Sequence, residues 1–151
     1  MSQSLSKLFI HIIFHIHSTS CPIKEDVGPK LYAYMGGILK DNHSRPILIN
    51  GVEDHIHILC VMSKNMALSK LVEEIKRHSS RWIKTQGTNY QNFAWQGGYG
   101  GFSVSPSLHD KTVNYIGNQK QHHQRIGFRE EYSLFLKEYD IDYNEDYVWV
   151  D

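Results

Sequence analysis

Long apolar runs and cysteines are both scarce in this chain of 151 residues. No apolar run reaches the roughly 18–20 residues needed to cross a bilayer, so the sequence predicts neither a membrane span nor a membrane partner. The two cysteines, Cys21 and Cys60, are too few for a disulfide framework and too far apart for a CxxC metal site. With 40% hydrophobic and 21% charged residues, the composition is typical of a globular protein, and we expect it in the cytoplasm.

The chain also lacks net charge, because sixteen Lys and Arg residues balance sixteen Asp and Glu residues. The balance is uneven along the chain: residues 1–129 hold fifteen basic and eight acidic residues, whereas residues 130–151 hold one and eight. We therefore expect one domain at 1–139, with a basic body, followed by an acidic, aromatic tail at 140–151. A basic body permits a polyanionic partner, although an ordinary solvated surface explains the same charges equally well.

Hydrophobic spacing predicts alternating strands and helices. A period of two predicts strands at 5–17, 46–52, 55–62 and 101–105, and the short turn after residue 50 makes the middle two a hairpin. Helical spacing predicts helices at 25–41, 67–84, 108–123 and 128–139, with Ser107 as the N-cap of the third. The sequence therefore predicts a small α+β domain in which helices flank a central, mainly antiparallel sheet of four to five strands.

Two histidines at the start of the third strand form the sharpest local signal. His55 and His57 are two residues apart, so on a strand both imidazoles project from one face while Ile56 and Ile58 enter the core. Two imidazoles on one rigid face can bind a single metal ion. A pair of structural histidines fits the same pattern.

A second signal lies on the third predicted helix. Tyr115 and Gln119 are four residues apart and share a face, as do Asn118 and His122. A helix face that carries tyrosine, glutamine and histidine fits a functional site. A solvated helix whose tyrosine lies on the surface accounts for the same spacing.

Taken in order, five segments resemble one known family, the IS200/IS605-type single-tyrosine transposases of the HUH endonuclease superfamily. The segments span most of the chain, at 8–14, 54–59, 75–82, 95–105 and 115–119. The second resembles the histidine–hydrophobic–histidine motif, and the last resembles the nucleophile motif. The resemblance implies a ferredoxin/RRM-like HUH fold and a DNA transposase that cleaves and rejoins single-stranded DNA at hairpin-bearing element ends.

The resemblance also implies roles for individual residues. Tyr115 would be the nucleophile that forms a 5′-phosphotyrosine, while His55, His57 and Gln119 would hold one divalent ion, Mg²⁺ or Mn²⁺. A phenol with a pKa near ~10 is a weak nucleophile at neutral pH, so it needs a metal ion or a base nearby. Two histidines would also suit zinc, which leaves the identity of the metal open.

Other residues are candidates for supporting roles. Asp54 would orient a ligand histidine or shape the turn before it, and His11 and Asn118 would lie close to the site without binding the metal. Basic side chains of the second helix are candidates for contacts with DNA phosphates, because such contacts supply most non-specific affinity. These are Lys70, Lys76, Arg77 and Arg81.

The resemblance further implies a homodimer, in which two subunits can share the active site, and a partner DNA with a hairpin. Two alternatives remain. One is a domesticated HUH nuclease that cuts single strands at repeated palindromic elements. The other is a nucleic-acid-binding regulator without catalysis, which ranks lower because Tyr115, His55 and His57 are all present.

Overall fold

One four-stranded antiparallel sheet organises residues 2–150, which are the part of the chain that this computed structural model describes. Met1 and Asp151, with the charge predicted for the end of the tail, lie outside the described residues. The strands are β1 (Leu8–His15), β2 (Arg45–Gly51), β3 (His55–Met62) and β4 (Gly100–Ser103), in the order β2-β3-β1-β4. The α+β prediction is confirmed, with four strands in the sheet.

In the described part of the chain, five α-helices flank the sheet: α1 (Gly28–Asp41), α2 (Leu68–Ile83), α3 (His109–Gly117), α4 (Gln119–His122) and α5 (Phe128–Glu138). The prediction of Ser107 as the N-cap of the third helix is wrong. Ser107 lies in a 3₁₀ turn at Pro106–Leu108, where its hydroxyl contacts that of Ser105, and Leu108 takes the N-cap position of α3. No helix within residues 2–150 is long and apolar enough to span a membrane.

The sheet divides the interior into two halves because side chains alternate along the central strands β1 and β3. Ile12, Phe14, Ile56 and Ile58 point to one face and pack under α1 and α2 in the main core. Each buried aliphatic side chain of this kind contributes about 1.5–3 kcal/mol. The other face carries the histidines of both strands, and α3 and α5 cover it. The histidines of the two central strands therefore lie on the opposite side of the sheet from the main core.

The predicted third helix, 108–123, is broken into α3 and α4 at Asn118. The side-chain amide of Asn50, on β2, donates to the carbonyl of Ile116 at 2.9 Å and so satisfies one of the last acceptors of α3. Asn118 has φ −101° and ψ 23°, which departs from helical geometry. Beyond the break, Gln119 is fully buried.

The acidic tail lies against α5. The Trp149 ring is 6.0 Å from that of Tyr132, and the Arg129 guanidinium stands 5.2 Å above the Trp149 ring. The Trp149 indole also donates to the carboxylate of Glu145, at 2.9 Å. The tail is therefore acidic and also packs against α5 through Trp149.

Candidate active site

A buried carboxylate, that of Glu131 on α5, faces the two histidines of β3. Its Oε1 atom lies 2.9 Å from His57 Nε2 and 3.3 Å from His55 Nε2. All three side chains are at most 1% exposed. The two imidazoles share one face of the strand, as their spacing predicts, and both ε-nitrogens point to the same carboxylate oxygen.

The other oxygen of Glu131 meets the third and fourth helices. Tyr115 donates its hydroxyl hydrogen to Oε2, and the ε-nitrogens of His122 and His123 lie 3.1 and 3.2 Å from the same atom. The Tyr115 hydroxyl is also 3.1 Å from His122 Nε2. Within one chain, Glu131 thus contacts Tyr115, the strand histidines and the two histidines after α3.

Each strand histidine is held from behind at its δ-nitrogen. Asp54 accepts a hydrogen bond from His55 Nδ1 at 2.7 Å, and His57 Nδ1 is 2.8 Å from Nε2 of His11, a buried histidine on β1. The hairpin before them is tight, because a Cβ on Gly51 would lie 2.3 Å from the carbonyl oxygen of His55. Hydrogen bonding at Nδ1 fixes the ring orientation and leaves Nε2 toward the centre.

Burial and close charge set the protonation of the group. Burial alone would raise the pKa of Glu131, but contacts with His123, His55 and His57 hold that pKa far below its usual value. Burial lowers the pKa of His57 to about 4. Burial has the same tendency at His55, yet the Asp54 hydrogen bond and the Glu131 charge outweigh it and raise the pKa of His55.

The nucleophile candidate is held in its neutral form. Burial, and then the adjacent Glu131 carboxylate, raise the pKa of Tyr115 well above that of a free tyrosine. A neutral phenol is a poor nucleophile, so any attack by Tyr115 needs an acceptor for its proton. Glu131 Oε2 and His122 Nε2 are both within hydrogen-bonding reach.

The donor atoms fit a divalent metal ion. One nitrogen or oxygen from each of His55, His57, His123 and Glu131 lies within 4.8 Å of the others. Within residues 2–150, Gln119 Oε1 is buried without a hydrogen-bond partner, and the buried ε-nitrogens of His55 and His123 contact Glu131 without forming a well-aligned hydrogen bond. Buried polar atoms of this kind normally have partners, and a shared cation would provide one. Gln119 is oriented by its amide nitrogen, which donates to the Tyr115 carbonyl at 3.3 Å.

Two further candidates from the sequence, Asn118 and Lys76, lie outside the group of side chains around Glu131. Asn118, at the helix break, lines an open cleft beside Tyr115. Lys76 is half-buried on α2, where it donates to the carbonyls of Gln96 and Gly98 at 2.9 and 2.6 Å, and burial lowers its pKa to about 8. Its position is therefore tied to the loop before β4.

The other basic candidates on α2 face away from the site, because α2 packs on the opposite side of the sheet. Lys70 and Arg77 both form ion pairs with Glu74, at 3.2 and 2.8 Å. Arg81 is exposed. DNA bound by these side chains would reach Tyr115 only by passing around the sheet.

Residues 4–119 match the model of the family described as IS200-like transposase. The chain belongs to this family. The match spans all four strands and ends at Gln119. No curated protein matches the chain.

Two solved structures share the fold of this family member. One, described as a candidate transposase of Deinococcus radiodurans R1, is 19% identical with a TM-score of 0.60, over 79% of this chain and 98% of that one. The other is a REP-associated tyrosine transposase bound to a REP hairpin, 13% identical with a TM-score of 0.57, over 83% of this chain and 76% of that one.

Two residues of the site, His123 and Glu131, were missed by sequence reasoning, and both lie beyond the family match. His122 also lies beyond it; the sequence placed this residue on the polar helix face without giving it a role. One feature of the sequence indicates that Glu131 is buried. It falls within the apolar stripe of α5 formed by Phe128, Tyr132 and Phe135. A carboxylate on a buried helix face requires partners, and the adjacent histidines of 122–123 were the nearest candidates along the chain.

Proposed function

We propose that this transposase cleaves and rejoins single-stranded DNA at hairpin-bearing element ends, through a covalent bond between Tyr115 and a 5′-phosphate. The observation that carries the proposal is that Tyr115 and the pair His55 and His57 contact the same buried carboxylate, Glu131. A nucleophile and a set of metal donors are thus within a few ångströms of each other. The similarity to a transposase bound to a REP hairpin supports hairpin DNA as the partner.

His55, His57 and Glu131 are proposed as the principal metal ligands, with Mg²⁺ or Mn²⁺ as the ion. Gln119, the third ligand that the resemblance implies, and His123 each offer a buried atom without a well-aligned hydrogen bond for a further position. When bound, the ion would polarise the scissile phosphate and offset charge in the transition state. Asp54 and His11 would keep the two strand histidines oriented.

In the proposed step, Tyr115 Oη attacks the scissile phosphorus, an oxygen–phosphorus bond forms, and the bond from phosphorus to the 3′-oxygen breaks. The tyrosine proton passes to His122 Nε2, which lies 3.1 Å from the hydroxyl oxygen. The leaving 3′-oxygen takes up a proton and becomes a free hydroxyl. Because one phosphodiester is exchanged for another, attack of a 3′-hydroxyl on the phosphotyrosine reverses the step and rejoins DNA without ATP.

The decisive experiment incubates the protein with an oligonucleotide hairpin that carries single-stranded flanks and a label on its 5′ or 3′ end. We expect a protein–DNA adduct on a denaturing gel with Mn²⁺ or Mg²⁺, its loss in EDTA, and retention of only the strand that lies 3′ of the cut. Absence of any adduct on hairpins of varied flank, with DNA binding intact, would favour a non-catalytic regulator.

A second candidate is a domesticated nuclease of repeated palindromic elements, which the REP-associated structural neighbour favours. Both candidates cut DNA, so the cleavage assay does not separate them. Strand transfer does: a mobile-element transposase joins the captured strand to a second end. The proposed homodimer is tested by light scattering, and mixing Tyr115→Phe with His57→Ala protein would restore cleavage only where two subunits share a site.

A further inference from the structure

An open cleft of about 500 Å³ lies beside the proposed nucleophile, and four of the six residues that line it have no role in the proposed chemistry. Its volume falls in the range of roughly 300–1,000 Å³ that is common for small-molecule sites. Tyr115 forms one wall. The other walls are polar side chains of the helix break, of α4 and of the loop that follows α4: Asn118, Gln121, His122, Gln124 and Arg125.

We name these six residues the amide cleft, after the carboxamide side chains among them. The cleft is lined by three residues with carboxamide side chains, Asn118, Gln121 and Gln124, together with Arg125. Among the described residues that line the cleft none is acidic, so it does not repel a phosphate. Carboxamides pair with the N6 and N7 atoms of adenine, and arginine pairs with O6 and N7 of guanine. Purine N7 is the acceptor that both donor types recognise.

The position of Tyr115 determines which nucleotide would bind in the amide cleft. Attack by Tyr115 leaves its oxygen bonded to the phosphate of the nucleotide on the 3′ side of the cut, so that nucleotide stays tethered to a wall of the amide cleft. The metal donors cannot receive its base, because His55, His57 and Glu131 are at most 1% exposed. The amide cleft, by contrast, is open and has Tyr115 as one of its walls.

We propose that the amide cleft binds a purine base of the nucleotide immediately 3′ of the scissile phosphate, so that protein side chains help to choose the cleavage site. The inference rests on the proposed function and deepens it. Gln121 and Gln124 are the specificity-determining residues, because their carboxamides line the cleft and belong to neither the metal donors nor the nucleophile.

The test uses the full chain and a hairpin oligonucleotide whose single-stranded flanks are randomised. Strands captured on Tyr115 are sequenced, since the first base of each is the one in question. We expect purines to be enriched about tenfold over the input pool. The enrichment should fall toward the input frequency in Gln121→Ala/Gln124→Ala, and persist in Gln91→Ala, an exposed amide outside the cleft.

Each alternative outcome is informative. A preference imposed by base pairing within the DNA would be the same in the variants, and this result would overturn the proposal, as would unbiased or pyrimidine-rich captured ends. If no strand is captured at all, the proposed function fails rather than the cleft. The cleft is then judged by NMR: dAMP and dGMP should shift the side-chain amide signals of Gln121 and Gln124 more than dCMP does, and equal or absent shifts would refute it.

Discussion

His57 and Glu131 lie 74 positions apart in the chain, yet their side chains meet at 2.9 Å under the sheet. The contact ties the strand that carries the histidine pair to the C-terminal helix. The same carboxylate also receives the hydroxyl of Tyr115. The contribution of these contacts to activity can therefore be tested by substitutions at His57, Glu131 and Tyr115 and at the residues that contact them.

Replacement of Tyr115 with phenylalanine should abolish the covalent adduct and leave hairpin binding within about twofold. Only the phenolic oxygen is lost, at a cost in stability of about 1.5–3 kcal/mol for a hydrogen bond to a charged group. The readouts are the adduct on a denaturing gel and the Kd from fluorescence anisotropy. A persistent adduct would identify another nucleophile, with Tyr99 ahead of Tyr90, because Tyr90 is 1% exposed.

Glu131→Gln should weaken Mn²⁺ binding by about tenfold to a hundredfold, because a neutral amide replaces the carboxylate at the centre of the donor set. The variant also removes the charge that faces the buried histidines, and we expect a loss of about 3 kcal/mol in the free energy of unfolding. Calorimetric titration and urea unfolding measure the two effects. Glu130→Gln is the matched control, because Glu130 is the exposed neighbour on the same helix. Equal affinities in both variants would remove Glu131 from the ligand set.

Metal binding should weaken as the pH falls, beginning above the ordinary histidine value of about 6.5. The pKa of His55 is raised, so its ring takes up a proton at a higher pH than a free histidine, and that proton competes with the ion for Nε2. Asp54→Asn removes the hydrogen-bonded charge that raises this pKa, and should move the midpoint of the binding curve to lower pH. Titrations with Mn²⁺ between pH 5 and 8 give the midpoint. An unshifted midpoint would show that His55 does not control the pH dependence.

The acidic tail should reduce affinity for single-stranded DNA through its charge. We expect Asp140→Asn/Asp142→Asn/Asp146→Asn to bind more tightly than the native protein at low salt. The gain should shrink near physiological salt, where the Debye length is about 8 Å. This variant keeps Glu145, which accepts the indole hydrogen bond of Trp149, and asparagine tolerates the positive φ of Asp140. Unchanged affinity at low salt would mean that the tail acts by packing alone.

The sequence correctly predicted the features that follow from the periodicity of its apolar residues. A period of two put His55 and His57 on one face of β3, and the order of elements predicted the sheet, because both follow from side-chain direction and burial. The break at Asn118 could not be found in this way. It depends on the cap that Asn50 provides from a strand 66 residues earlier, and helical spacing carries no information on such a contact.

Glu131 was missed for a related reason. Acidic residues in the first turn of a helix are common, since they favour the helix dipole, and such a residue is ordinarily solvated. The apolar stripe of α5 places Glu131 on a buried face, but its burial against the histidines follows from the docking of α5 onto β1 and β4. Tyr132 and Leu136 make this contact, and they pack with Ile13 and Phe102. Tertiary packing thus decided the role of this side chain.

The division of the site between an early strand and late helices implies an uneven distribution of local stability. His55 and His57 lie on a central strand, whereas His123 and Glu131 lie after the last strand, so an ion bound by both would link α4 and α5 to the sheet. Amide hydrogen exchange in 119–138 would then report metal occupancy, whereas exchange in β3 would remain governed by global unfolding. Retention of the ion would then depend on local opening of these helices.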